Sequence, residues 1–223
     1  ARSVFVSVEE VHRQVQQWME LLAQVKPDII FANYAPGALM ASRALGIPAV
    51  AYGVGYYTLH QGATEFPCIW NQPGLVPERT ESAALHDVNK ALSQLGCAEL
   101  ESFAQTMLGT RQLAMTLPLL DPSGQKRREP LCNPVLSHSL KPTVSKGRRL
   151  FIHFHDVGHP DLLNGIIAAG PPATVYIRDM PATARKRLTD AGFDVLSQPA
   201  DLGELLPACC GVVHYGGLGL SSL

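Results

Sequence analysis

The chain has 223 residues, about one and a half domains at roughly 150 residues each. Lys and Arg number 18 and Asp and Glu 19, so the formal net charge is −1, which argues against a partner held by phosphate neutralisation, whether nucleic acid or an anionic membrane. Hydrophobic residues at 46% and charged residues at 17% argue against intrinsic disorder and supply a sizeable core.

The first third alternates helices and strands. Ser7-Val8-Glu9-Glu10 is a capping box, and behind it Val8, Val11, Val15, Trp18, Leu22 and Val25 fall on one helical face. Lys26-Pro27 stops that helix. Residues 28–32 form a short, nearly unbroken apolar run, which predicts a strand buried on both faces. The spacing then predicts a helix over 36–45, closed by Gly46 and Pro48, and a strand over 49–52. This β-α-β order implies a parallel sheet with a right-handed crossover.

Residues 54–80 form a long loop rich in Gly, Pro and aromatics, of the kind that faces ligands. Trp70 in that loop, with Tyr56, Tyr57 and Phe66, suits stacking on a substrate or packing of the loop itself. Helices are predicted over 81–95 and 98–108, and a strand over 112–117. From Pro118 to Gly147 periodicity vanishes, so an irregular interdomain connection is expected, with Lys126-Arg127-Arg128 in a solvated loop.

After the connection the β-α alternation resumes. Strands are predicted to start near 149, 173, 193 and 211, with helices over 160–169, 181–191 and 201–208 between them. That rhythm is the mark of a doubly wound sheet. The fold class is therefore α/β, with two Rossmann-like parallel-sheet domains, each expected to be incomplete. Residues 1–120 are assigned to the first, 121–147 to the linker and 148–223 to the second.

No stretch reads as a transmembrane segment; the apolar run 205–223 is broken by His214 and by Gly211, Gly216, Gly217 and Gly219. The N-terminus lacks the features of a signal peptide. Five cysteines, an odd count spread along the chain, make a disulfide framework improbable, and a cytoplasmic setting is expected. Cys209 and Cys210 precede a buried strand and read as core thiols.

The sharpest chemical signal is Gly211-Val212-Val213-His214-Tyr215-Gly216-Gly217-Leu218-Gly219-Leu220-Ser221. A buried strand runs into a glycine-rich turn that should open a helix, and such a turn offers backbone N–H groups to a phosphate. Close packing of the turn is the plainer alternative. A second constellation is His153-Phe154-His155-Asp156-Val157-Gly158-His159. Its residue types suit a metal site, and His153, His155 and His159 would then serve a metal-dependent hydrolase. The plainer reading has His153 packed in a strand, His155 at its end and His159 capping the next helix.

Three stretches resemble the metal-independent glycosyltransferases of GT-B architecture, the branch that includes bacterial natural-product enzymes. Residues 205–219, from Leu205-Leu206-Pro207 through His214-Tyr215-Gly216-Gly217-Leu218-Gly219, are similar to that family's donor signature LLP-x-C-x-x-VVHHGG-x-G. Residues 27–34 with 45–50 resemble its Pro-Asp-led strand and following ALGIP segment, and 85–121 resemble its helical run ending in PELD. The resemblance implies two Rossmann-like domains facing each other across a cleft. It implies transfer of a hexose from a nucleotide-diphosphate sugar, such as a UDP-sugar, to the hydroxyl of a small-molecule or lipid acceptor. Inversion at the anomeric carbon is implied, with no metal and no cofactor beyond the nucleotide-sugar co-substrate.

Carried onto this chain, the resemblance assigns Gly216, Gly217, Gly219 and Ser221 to the diphosphate, with His214 and Tyr215 beside them. Gln198 would read the nucleotide base, His155 would face the phosphates, and Gly53 and Gly55 would line the cleft. Tyr215 stands where most members carry His, and Asn33 where many carry Asp. Tyrosine can donate a hydrogen bond but brings no positive charge near neutral pH. The family's catalytic base would precede Ala1 and its acidic-Gln sugar segment would follow Leu223, so the resemblance implies a fragment and names no base here. A nucleotide-binding remnant without catalysis is the non-enzymatic alternative.

Overall fold

The computed structural model describes residues 7–67, 80–134, 147–158 and 160–221. The chain divides into two compact units, Ala1–Pro134 and Val135–Leu223. Each is α/β with an all-parallel sheet. No helix among the described residues is long and apolar enough to cross a membrane.

In the first unit, α1 (Val8–Val25) starts where the capping box places it, the Glu10 N–H donating to Ser7 Oγ at 3.2 Å. It ends at Lys26, whose left-handed backbone lets its N–H reach the Leu22 carbonyl at 2.8 Å. The strands β1 (Ile30–Asn33) and β2 (Ala49–Gly53) flank α2 (Pro36–Ala44). After the long loop come α3 (Glu81–Gln94), capped by Thr80 Oγ1, and β3 (Arg111–Ala114). The sheet order is β1-β2-β3. Val11, Val15 and Leu22 of α1 pack with Met40 and Ala41 of α2 and with Val88, Ala91 and Leu92 of α3. Each such fully buried aliphatic side chain contributes about 1.5–3 kcal/mol.

Three expectations change here. β1 is not buried on both faces: Ile30 and Ala32 turn toward α2, whereas Phe31 is 63% exposed. The cause is position, since β1 is the edge strand of the described sheet. The helix expected over 98–108 is only a 3-10 turn at Phe103–Met107. The Asn89 side chain takes both backbone groups of Leu100, accepting its N–H at 2.8 Å and donating to its carbonyl at 2.9 Å, which removes them from a helical ladder.

The third change lies in the expected connection. Residues 121–134 cluster with the first unit. Lys126 and Arg128 are solvated, but Arg127 is not. Its side chain is 2% exposed and its Nε lies 2.7 Å from Asp121 Oδ2, whose side chain is 3% exposed. Arg127 Nη2 also donates to the Thr58 carbonyl at 2.6 Å, and Nη1 to the Leu59 carbonyl at 3.4 Å. Composition made 118–128 look like a loop, and no periodicity marks a buried charge pair.

In the second unit, β4 (Arg149–Asp156), α4 (Pro160–Ala169), β5 (Ala173–Asp179), α5 (Ala182–Asp190), β6 (Asp194–Val195), α6 (Leu202–Leu205), β7 (Cys209–His214) and α7 (Leu218–Ser221) follow in turn. Ile152, Val175 and Ile177 of the sheet pack on Leu163 and Ile166 of α4 and Leu188 of α5. The strand order is β6-β5-β4-β7. The chain steps outward from β4 to β5 to β6, then crosses back to the other side of β4.

Breaking the buried pair in the first unit leaves a carboxylate unpaired. Arg127→Leu is expected to lower stability by about 3–5 kcal/mol in urea unfolding, and the double variant Asp121→Leu/Arg127→Leu by clearly less. Equal losses in the single and double variants would contradict the account.

Candidate functional site at the carboxyl edge of the second sheet

Strand order places the site. β4 and β7 are neighbours where the strand order reverses: the chain leaves β4 toward β5 on one side and comes back from β6 to β7 on the other. In open parallel sheets the carboxyl edge at such a point is where ligands bind. The loop after β4 begins at Val157, and the turn after β7 begins at Tyr215. Two of the sequence's chemical signals are thereby brought to one sheet edge.

Register decides which side chains share a face. His153 of β4 pairs with Tyr176 of β5 and with His214 of β7. Residues in register share a face, as do alternate residues along a strand. That face therefore carries Phe151, His153 and His155 from β4, Tyr176 and Arg178 from β5, and His214 from β7. The His153 ring stacks on Phe151 at 6.1 Å and on Tyr176 at 5.4 Å between centroids, and Tyr215 meets it edge-on at 5.5 Å. Its Nδ1 lies 3.2 Å from the Tyr176 carbonyl oxygen, which requires the Nδ1–H tautomer. Burial pushes the His153 pKa down, and the nearby Arg178, His214 and His155 push it the same way.

His155 is exposed at the strand end. Its Nδ1 is 3.7 Å from Asp179 Oδ2 and 3.9 Å from Asp156 Oδ2, and its Nε2 is 3.4 Å from Arg178 Nη1. Asp156 and Asp179 are in register at the ends of β4 and β5.

The glycine turn is built from the inside. Gly216 has φ +85°, a conformation that only glycine adopts without strain, and its N–H donates to His214 Nδ1 at 3.2 Å. A Cβ at Gly217 would stand 2.9 Å from the Tyr215 ring, which folds over it while remaining 55% exposed. Gly219 faces open space. The Ser221 hydroxyl donates to the Gly217 carbonyl at 3.0 Å. Of the expected cradle, the Gly216 N–H and the Ser221 hydroxyl are thus engaged within the turn. The amides of Leu218, Gly219 and Leu220 belong to the first turn of α7 and have no intrahelical acceptor.

Other expected residues lie elsewhere. Gln198 is exposed and, just past the end of the two-residue β6, lines a depression with Thr174, Asp194 and Asp201. Gly53 and Gly55 belong to the first unit and are buried. The Cβ position of Gly53 lies 3.3 Å from the Asn33 side chain, and that of Gly55 lies 3.0 Å from Thr116 and 3.2 Å from Asp121. Nearby, Tyr34, Tyr56 and Tyr57 form a cluster, with Tyr34 and Tyr57 at 4.2 Å. Trp70 lies outside the described residues.

The metal constellation does not assemble among the described residues, where no group of three His, Cys, Asp or Glu side chains could hold an ion. His153 is turned into an aromatic stack with its Nδ1 on a carbonyl, and His159 lies outside the described residues. Cys209 is buried, which raises its thiol pKa, while Cys210 is exposed instead of lying in the core.

Sequence reading missed Tyr176, Arg178 and Asp179. The signal was present, because the strand predicted from 173 ends in polar residues. Aligning two parallel strands at their carboxyl ends sets Arg178 beside His155.

No family model matches the chain, and no curated protein matches it. Among solved structures, a glycosyltransferase of Streptomyces sp. SF2575, SsfS6, complexed with thymidine diphosphate, is similar at 17% sequence identity and a TM-score of 0.49. The match covers 100% of this chain and 57% of that protein, so the chain spans a little over half its length.

The lowered pKa of His153 makes a prediction about pH. The unfolded chain binds this proton more readily than the folded one, so the contribution of neutral His153 is full above about pH 6.5. It is lost as pH falls through that value toward the folded pKa. Thermal unfolding followed from pH 7.5 to 5.5 is expected to show a steeper fall of Tm in the parent chain than in His153→Gln. Identical slopes would contradict the assignment.

Proposed function

We propose that this chain is part of an inverting glycosyltransferase that takes a sugar from a nucleotide-diphosphate donor and passes it to an acceptor hydroxyl. One observation carries the reading. The loop after β4 and the glycine turn after β7 leave the sheet side by side, at the point where the strand order reverses. In open parallel sheets that crevice is where nucleotides bind. The resemblance of residues 205–219 to a donor signature falls on the same turn.

Under this reading the second unit holds the donor, and the first serves the acceptor. The diphosphate lies against the Gly217–Gly219 turn, with Tyr215 at its side. The amides at the start of α7 point at charge that grows on the leaving diphosphate as the glycosidic bond breaks. Donors fixed in place before the reaction stabilise that charge without a metal ion. A base outside the residues named here deprotonates the acceptor hydroxyl, which attacks the anomeric carbon in one displacement. His153 is packed against Phe151, Tyr176 and Tyr215, which makes it a support for Tyr215 in this reading.

Isothermal titration of the chain with UDP-glucose and dTDP-glucose checks this reading. Saturable binding of at least one of them, competed by its nucleoside diphosphate, is the expected result. Absence of binding by both sugars and both diphosphates would overturn it.

A further inference from the structure

Arg178 ends β5 on the same sheet face as His153, His155 and His214, and it is exposed. Two carboxylates stand close by, Asp179 next in sequence and Asp156 on β4. An arginine so placed would ordinarily pair with one of them. Here, among the described residues, the guanidinium is in no ion pair; its close partner is the His155 ring, with Nη1 3.4 Å from Nε2. The carboxylates lie on the other side of that ring, Asp179 at 3.7 Å and Asp156 at 3.9 Å from Nδ1.

The imidazole therefore separates the cation from the anions. With Nδ1–H turned toward the acids, the Nε2 lone pair accepts from Arg178 and fixes the guanidinium plane. The remaining N–H groups of the guanidinium keep their fork without a carboxylate to fill it. No acidic side chain in register with His153 or His155 on this face offsets the charge; the row across the three strands is Tyr176, His153 and His214. Arg178 is among the groups that push the His153 pKa down.

A rigid guanidinium with open donors is a receptor for paired phosphate oxygens. We propose that Arg178 is a phosphate-binding residue, oriented by His155, that selects a nucleoside diphosphate over the monophosphate or the bare nucleoside at the β4–β7 crevice. This rests on the reading of that crevice as the nucleotide-sugar site. His155 is then a positioning residue that acts through Arg178.

The test is titration of the full chain and of Arg178→Gln and Arg178→Lys with UDP, UMP and uridine, and with dTDP, dTMP and thymidine. For the preferred base series, Arg178→Gln is expected to weaken diphosphate binding about tenfold or more and leave nucleoside binding unchanged. Arg178→Lys should recover part of the loss, because the charge stays while the fork is gone. The diphosphate affinity of the parent should fall more steeply with salt than that of Arg178→Gln. Unchanged diphosphate affinity in Arg178→Gln would overturn the assignment while leaving the nucleotide site intact. An equal loss for diphosphate and nucleoside would also overturn it, as a structural effect. No nucleotide binding by the parent chain would overturn both the assignment and the proposed function.

Discussion

The parallel pairing of β4 with both β5 and β7 is the constraint from which the second unit follows. The chain leaves β4 for β5 on one side and crosses from β6 to β7 on the other, and right-handed crossovers running in opposite directions lie on opposite faces of a sheet. A crevice opens at the carboxyl end at such a point. The polar residues at the strand ends, His155, Asp156, Arg178, Asp179 and His214, are exposed to it by the same geometry. The glycine turn comes last in the chain but depends on this pairing for its place.

Within that frame the side chains divide their work by depth. His153 lies one step inside the edge, between Phe151 and Tyr176, where burial keeps it neutral. It gives Tyr215 a ring to lean on, and Tyr215 in turn covers Gly217. His214 accepts the Gly216 N–H and so fixes the turn from below. The residues that sequence pattern marks as ligands are thus partly the scaffold of the turn, and the outward groups are His155, Arg178 and the backbone of the first turn of α7. The first unit uses a buried ion pair to the same end. Arg127 holds the carbonyls of Thr58 and Leu59 and so ties the loop after β2 to the segment at Asp121. Gly55 is glycine because Thr116 and Asp121 stand where a Cβ would be.

Much of this was legible in the sequence, and the reasons are specific. The capping box at Ser7 and the glycine stop at Gly46 are local rules, so they marked helix ends well. The spacing of apolar runs announced the β-α alternation of two parallel sheets, though not their strand order. Lateral information was harder to extract. Phe31 looked buried because a run of apolar residues does not reveal an edge strand. The Asn89 side chain displaced a helix by taking the backbone groups of Leu100, a contact with no periodic trace. Arg127 looked solvated because a basic triplet is usually so. Arg178 went unremarked because its meaning depends on a neighbour 23 residues earlier in the chain, brought beside it by register.

The central claim is that the β4–β7 crevice binds a nucleotide diphosphate through the turn after β7 and the loop after β4. Backbone amide NMR of the chain, titrated with UDP and with dTDP, tests it most directly. The account predicts saturable shifts concentrated on Gly217, Leu218 and Gly219 and on Asp156 to Gly158, with the first unit little changed. Shifts confined to the depression around Gln198 and Asp201, or none in the second unit, would contradict it.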